Sequence, residues 1–157
     1  MRLDGRGIVI TGASQGLGLE IAEACVAEGA NVVICARDAD LLDSARARLA
    51  AKAAPGRQVI AQPADVRRPD DVRRLFERAS AALPRIDGLV NNAGVYGPKG
   101  LLEEVDLAEW WSSIEINLLG VALACQQVLP IFRRQGYGKI VNLSGGGATA
   151  PLPRISA

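Results

Sequence analysis

Residues 7–18 constrain the fold of this chain more than any other stretch. Gly7-Ile8-Val9-Ile10 is an apolar run of strand type, Thr11-Gly12-Ala13-Ser14-Gln15-Gly16-Leu17-Gly18 is a glycine-rich turn, and residues 17–28 read as an amphipathic helix. Glycines 12, 16 and 18 can take positive φ and carry no Cβ, so a ligand can approach the backbone closely. The helix behind them aims unpaired N–H groups and the positive end of its dipole back at the turn. The product is an anion site suited to a pyrophosphate. Its spacing is G-x-x-x-G-x-G rather than the G-x-G-x-x-G of the commoner dinucleotide fingerprint.

The first helix places Leu17, Ile21, Cys25 and Val26 on one stripe and ends at Gly29, a C′ glycine. Residues 30–36 form a nearly continuous apolar run, the pattern of a strand buried on both faces of a parallel sheet. Residues 38–54 read as a helix with Leu41, Leu42, Ala45, Leu49 and Ala53 inward, stopped by Pro55-Gly56. Residues 58–63 are a third short strand. Pro69 opens the next helix with Asp70 and Asp71 in its first turn, although Arg68 is a poor cap. Val72, Leu75, Phe76, Ala79 and Leu83 form its buried stripe. Residues 86–90 are a fourth strand. Asp106 with Glu109 resembles a capping box ahead of helical segments at 107–135, with Asn117 and Gly120 inside and Pro130 kinking or shortening the last turns. Residues 139–143 are a fifth strand.

Strands alternating with helices in this way predict an α/β fold built on a parallel sheet, with right-handed crossovers and helices on both faces. Ligands of such sheets sit beyond the carboxyl ends of the strands. The unusual polar and glycine clusters all fall there: 12–18, 37, 65–66, 91–94 and 144–149.

The 157 residues fit one domain, 1–157. A net charge of +1 gives no electrostatic case for nucleic acid or a membrane surface. No spanning apolar run and no secretory leader is evident, and Cys25, Cys35 and Cys125 read as buried free thiols, so a cytoplasmic location is expected. The absence of histidine excludes a Ser-His-Asp or Cys-His apparatus and any His-ligated metal, and no metal site is expected.

Thr11-Gly12-x-x-x-Gly16-x-Gly18, Asp65-Val66, Asn91-Asn92-Ala93-Gly94, Asn117 and the strand Ile140-Val141-Asn142-Leu143-Ser144 together resemble the short-chain dehydrogenase/reductase family in order and spacing. The resemblance implies a Rossmann-type doubly wound sheet, here with about five strands in the order 3-2-1-4-5. It also implies NAD or NADP as cofactor and hydride transfer between a carbonyl and an alcohol carbon. Gly12, Ser14, Gly16, Leu17 and Gly18 would then face the pyrophosphate and adjoining ribose. Asp65 would accept a hydrogen bond from the adenine amino group, with the Val66 backbone beside it. Asn92, Ala93 and Gly94 would line the cofactor, and Asn117 would interrupt its helix and hold a water in a proton relay. NAD-selective sites place an acid at the end of the second strand, while NADP sites use arginine for the 2′-phosphate. Here the acid position is Ala36 and Arg37 follows, so NADP is expected, with NAD the alternative. Pairing of Arg37 with Asp38 or Asp40 is the competing reading.

Two departures from the family pattern bear on catalysis. The family's Tyr-x-x-x-Lys element is absent: neither Tyr96 nor Tyr137 is followed by lysine at the fourth position. The element would begin at or just beyond Ala157, so the chain is read as a fragment of an enzyme, inactive by itself. The usual catalytic serine position is Gly145; Ser144 or Thr149 would have to serve instead, with Gly145-Gly146-Gly147 giving the backbone room. A non-catalytic NADP(H) sensor of the same fold is the alternative, and an incomplete product with an exposed sheet edge a third. A small carbonyl or alcohol substrate is expected for the complete protein. So are homo-oligomers packed through the helix containing Leu118 to Leu129, with no nucleic-acid or membrane partner.

Overall fold

Parallel pairing joins five strands into one sheet of order β3-β2-β1-β4-β5. They are β1 (Gly7–Thr11), β2 (Asn31–Cys35), β3 (Val59–Ala61), β4 (Gly88–Asn91) and β5 (Lys139–Asn142). The crossovers are α1 (Gly16–Ala27), α2 (Ala39–Ala50) and α3 (Pro69–Ala82). Between β4 and β5 lie α4 (Leu107–Ile114), a π-helical segment Glu115–Leu119 and α5 (Gly120–Gln135). The computed structural model describes residues 1–145, 150 and 152–155. Sheet order and helix alternation are those expected from the sequence.

Strand alternation divides the core between the two faces. Ile8, Ile10, Val32, Ile34 and Val90 join Leu19, Ala22 and Val26 of α1 and Leu42, Ala45 and Leu49 of α2. Val9, Val33 and Leu89 join Val72, Leu75, Phe76 and Ala79 of α3 and Ala124, Val128 and Phe132 of α5. Each fully buried aliphatic side chain contributes roughly 1.5–3 kcal/mol by its removal from water. β1 and β2 are buried along their whole length, because helices cover both of their faces.

Several local expectations change. In α1 the buried positions are Gly18, Leu19, Ala22 and Val26, while Leu17 is exposed. α2 stops at Ala50, not Ala54, because Lys52 N and Ala53 N donate to Leu49 O and Ala50 O in tighter turns. α5 runs past Pro130 to Gln135 and ends at Gly136 in left-handed conformation.

From α4 to α5, Leu107–Gln135 is 29 residues of helix, long and apolar enough by length and composition to cross a membrane. Its inward positions Ile116, Gly120, Ala124, Val128 and Phe132 are buried. Leu118 and Leu129 remain exposed on its other side.

The amino ends of the strands are tied by Asp87. Its buried carboxylate accepts from Gly7 N (3.0 Å) and Arg6 Nη1 (2.8 Å) and lies 2.6 Å from Arg85 Nε. Both guanidinium groups also lie over the Tyr137 ring.

Candidate active site

At the opposite, carboxyl ends of the strands runs a groove of about 840 Å3. The glycine turn contributes Gly12, Ser14, Leu17 and Gly18 to it. The end of β2 contributes Ala36 and Arg37, the loop after β3 Asp65 and Val66, and the end of β4 Asn92, Ala93 and Gly94. Of the cofactor-binding residues named from the sequence, Gly16 alone does not line it. Leu17 and Leu41, assigned to core stripes by periodicity, are exposed and border the groove instead.

The turn is held by its own neighbours. A Cβ at Gly12 would lie 2.7 Å from Ala93 Cα, and one at Gly18 would lie 2.4 Å from both Asn92 Nδ2 and Gly12 O. Gly16 faces open space, and what reserves it for glycine is its φ of 58°. Asn92 Nδ2 donates to Thr11 O (3.0 Å) and Gly12 O (2.9 Å), while the Thr11 hydroxyl accepts from Asn92 N and Ala93 N, both at 3.1 Å. Ala13 N donates to Cys35 O (3.1 Å). Thr11 is thus a site-organising residue that the glycine pattern had not singled out.

The start of α1 differs from those of its neighbours. Asp38 caps α2 through Leu41 N, and Asp106 caps α4 through Ala108 N and Glu109 N. α3 has Asp70 and Asp71 in its first turn. α1 has neither a side-chain cap nor an acid in its first turn. Its leading N–H groups therefore have no capping side chain, a helix start of the kind that suits an anion.

Asp65 is engaged by a residue the sequence had not flagged. Its Oδ1 accepts from Arg67 N (3.0 Å) and Nε (3.0 Å), and its Oδ2 from Arg67 Nη2 (2.6 Å). Arg67 Nη1 continues to Ser112 Oγ on α4 (3.0 Å), and Asp65 N donates to Asp71 Oδ2 (2.9 Å). These hydrogen bonds from Arg67, aided by the charge of Arg37, hold the Asp65 carboxyl below the usual range against the opposing effect of burial. Arg37 is exposed, and among the described residues it pairs with neither Asp38 nor Asp40. Cys35 is no nucleophile here, since burial pushes its thiol up to about 12.

The two residues named for catalysis lie outside the groove lining. Asn117 sits in the π-helical segment, so the helix is interrupted there as expected, and π-turns often accompany functional positions. Its side-chain amide donates to Val95 O (2.8 Å) and accepts from Val95 N (2.9 Å), fastening the segment to the loop after Gly94. Ser144 and Gly145 are exposed beyond β5. Asn91 Nδ2 donates to Asn142 Oδ1 (2.8 Å) and Leu143 N to Asn91 O (3.0 Å), which sets Ser144 beside the end of β4. Among the described residues, a Cβ at Gly145 would meet nothing within 4 Å. Thr149, Gly146 and Gly147 lie outside the described residues. Among the described residues no group of three or more His, Cys, Asp or Glu is placed to hold a metal ion.

A cradle at a helix start, facing the strand ends of a parallel sheet, is where open α/β sheets of this kind bind their ligands. The chain is 37% identical over 146 residues to an uncharacterized oxidoreductase of Staphylococcus saprophyticus, covering 93% of this chain and 57% of that protein. It is 34% identical over 146 residues to levodione reductase of Leifsonia aquatica, covering 93% and 54%. The structure of a metagenomic short-chain oxidoreductase in complex with NADP superposes with a TM-score of 0.89 at 32% identity, over 99% of this chain and 69% of that one. The chain spans about half the length of the curated relatives it matches. The sequence model of the short chain dehydrogenase family matches residues 6–157, and the chain belongs to that family.

Proposed function

We propose that the chain is the cofactor-holding part of an NADP-preferring oxidoreductase that interconverts a carbonyl and a secondary alcohol. The observation that carries this reading is the uncapped start of α1, opening into a groove that also has Arg37 on its wall and no acid at Ala36. Gly12, Ser14, Gly16, Leu17 and Gly18 hold the pyrophosphate and its ribose, and the Arg37 guanidinium takes the 2′-phosphate. Asp65 and the Val66 backbone flank the adenine. Asn92, Ala93 and Gly94 line the remaining length. The fit is supported by the absence of side-chain bulk at Gly12 and Gly18, where the backbone itself leaves no room for a Cβ.

A nicotinamide cofactor held there would supply or accept the hydride. The chain's own part is to orient and exclude. Asn117 fixes the Val95 backbone at one end of the groove. Ser144 offers the strand-end hydroxyl that would hold the substrate oxygen. The residues contain no Tyr-x-x-x-Lys, so the 157-residue chain binds cofactor without turnover. The exposed Leu118 and Leu119 of the π-helical segment and Leu129 of α5 support homo-oligomer packing of the complete protein through this helical stretch. The four-residue spacing of its buried positions favours a core helix over a membrane span.

NADPH fluorescence in a titration of the purified chain tests the proposal. Saturable enhancement, reversed by NADP+, is expected without steady-state reduction of added ketones or aldehydes. Unchanged fluorescence would refute cofactor holding, and sustained turnover would refute the assignment of the missing acid/base pair. Binding without turnover in the complete protein as well would favour the sensor reading. That reading draws on Gly145, which has no hydroxyl and whose Cβ would meet none of the described residues.

A further inference from the structure

Around the adenosine end of the groove stand four charges whose balance depends on one residue. Arg37 and Asp65 both line the groove, and Arg37 is near enough to help depress the Asp65 carboxyl. Asp38 is occupied as the cap of α2, accepting from Leu41 N at 3.0 Å. Asp65 would therefore be the natural partner for Arg37, and such a pair would both orient Arg37 away from a ligand and set a carboxylate against any phosphate nearby. Arg67 prevents this. Its Nε and Nη2 take both oxygens of Asp65 at 2.6–3.1 Å, its main-chain N–H adds another bond, and its Nη1 is anchored on Ser112 Oγ. The guanidinium is thus held by Asp65 on one side and by α4 on the other, with Glu115 also contributing to its field. Asp71 is occupied in turn, accepting from Asp65 N and from Arg74.

We infer that Arg67 is a specificity-determining residue for the 2′-phosphate, acting through Asp65: by clamping and neutralising that carboxylate it leaves Arg37 unpaired and available. The inference rests on the NADP reading above. It requires no contact between Arg67 and cofactor, which separates it from a role for Arg67 as a second phosphate ligand.

Calorimetric titration with NADP+ and NAD+ tests it, the readout being the ratio of the two dissociation constants. Wild type is expected to favour NADP+. Arg67→Ala should lower that preference about tenfold, equivalent to one decade of relative affinity, while NAD+ binding stays within about threefold. Adding Asp65→Asn to Arg67→Ala should restore the ratio, because the released carboxylate is gone. Asp65→Asn alone should leave the ratio intact, whatever it does to both affinities together. This variant carries the test if Arg67→Ala fails to fold. An unchanged ratio in Arg67→Ala overturns the inference. So does equal loss of both cofactors, failure of the double variant to restore the ratio, or a fall in the ratio for Asp65→Asn alone. A wild type without NADP+ preference overturns the NADP reading itself, and the inference with it.

Discussion

Asn92 and Thr11 clasp each other across the sheet: Asn92 Nδ2 donates to the Thr11 carbonyl at 3.0 Å, and the Thr11 hydroxyl accepts the Asn92 main-chain N–H at 3.1 Å. The same amide reaches Gly12 O at 2.9 Å. The end of β4 therefore sets the shape of the glycine turn after β1. Asn92→Ala leaves two half-buried carbonyls without their donor and should destabilise the fold by about 1–3 kcal/mol. NADP+ affinity should fall about tenfold. Urea unfolding and calorimetry check the two effects, and a variant with native stability and affinity would count against the clasp.

The turn glycines should differ in cost. Gly18→Ala puts a methyl against Gly12 O, a backbone atom that cannot move aside, and should cost about 1–3 kcal/mol. Gly16→Ala meets no atoms and carries only left-handed strain, about 1 kcal/mol. Comparison of unfolding free energies checks the order, which would be reversed if Gly16 were the crowded position.

Asp65 gives a pH dependence of known sign. Its folded pKa is lowered by Arg67, so it stabilises the fold above the unfolded carboxyl pKa of about 3.9. That stabilisation is lost as pH falls through the lower folded value. Wild type should exceed Asp65→Asn in stability by a constant margin from pH 5 to 8, and the margin should close at more acid pH. Urea midpoints across pH are the measurement; a margin that closes near neutrality would contradict the assignment.

Asp87 provides the contrast, since it lies at the amino ends of the strands. Asp87→Ala removes the acceptor of Gly7 N and leaves the buried Arg85 Nε without its carboxylate, while the Arg6 guanidinium is exposed enough to rehydrate. A loss of about 1–3 kcal/mol is expected, with cofactor affinity unchanged below the melting range. A large fall in affinity of the folded variant would show that the two ends of the sheet are coupled.

Much of the fold was legible because strands buried on both faces announce themselves as apolar runs, as 30–36 does for β2. The groove was legible because its glycines and polar residues break those runs at strand ends. Helix faces read less well. Gly18 and Ala22 bring α1 close to the sheet but do not register as a hydrophobic stripe; of the stripe that periodicity does give, Leu17 is exposed, while Ile21 and Cys25 pack partly buried against the core and Val26 is buried. Arg67 leaves no such mark in the sequence because its engagement of Asp65 depends on a loop turn, in which Arg67 N folds back on Asp65 Oδ1, rather than on any helical or strand period. The Asn117–Val95 pairing spans 22 positions and no local pattern encodes it. Nor does the run Ile-Asn-Leu-Leu distinguish a π-turn from ordinary helix.

Amide hydrogen exchange with and without saturating NADP+ addresses the groove most directly. Protection concentrated at residues 12–18, 36–37, 64–66 and 92–94 is expected, with the Asp87 end of the sheet unaffected. Absence of added protection, or protection centred away from these four strand ends, would contradict the placement of the dinucleotide in this groove.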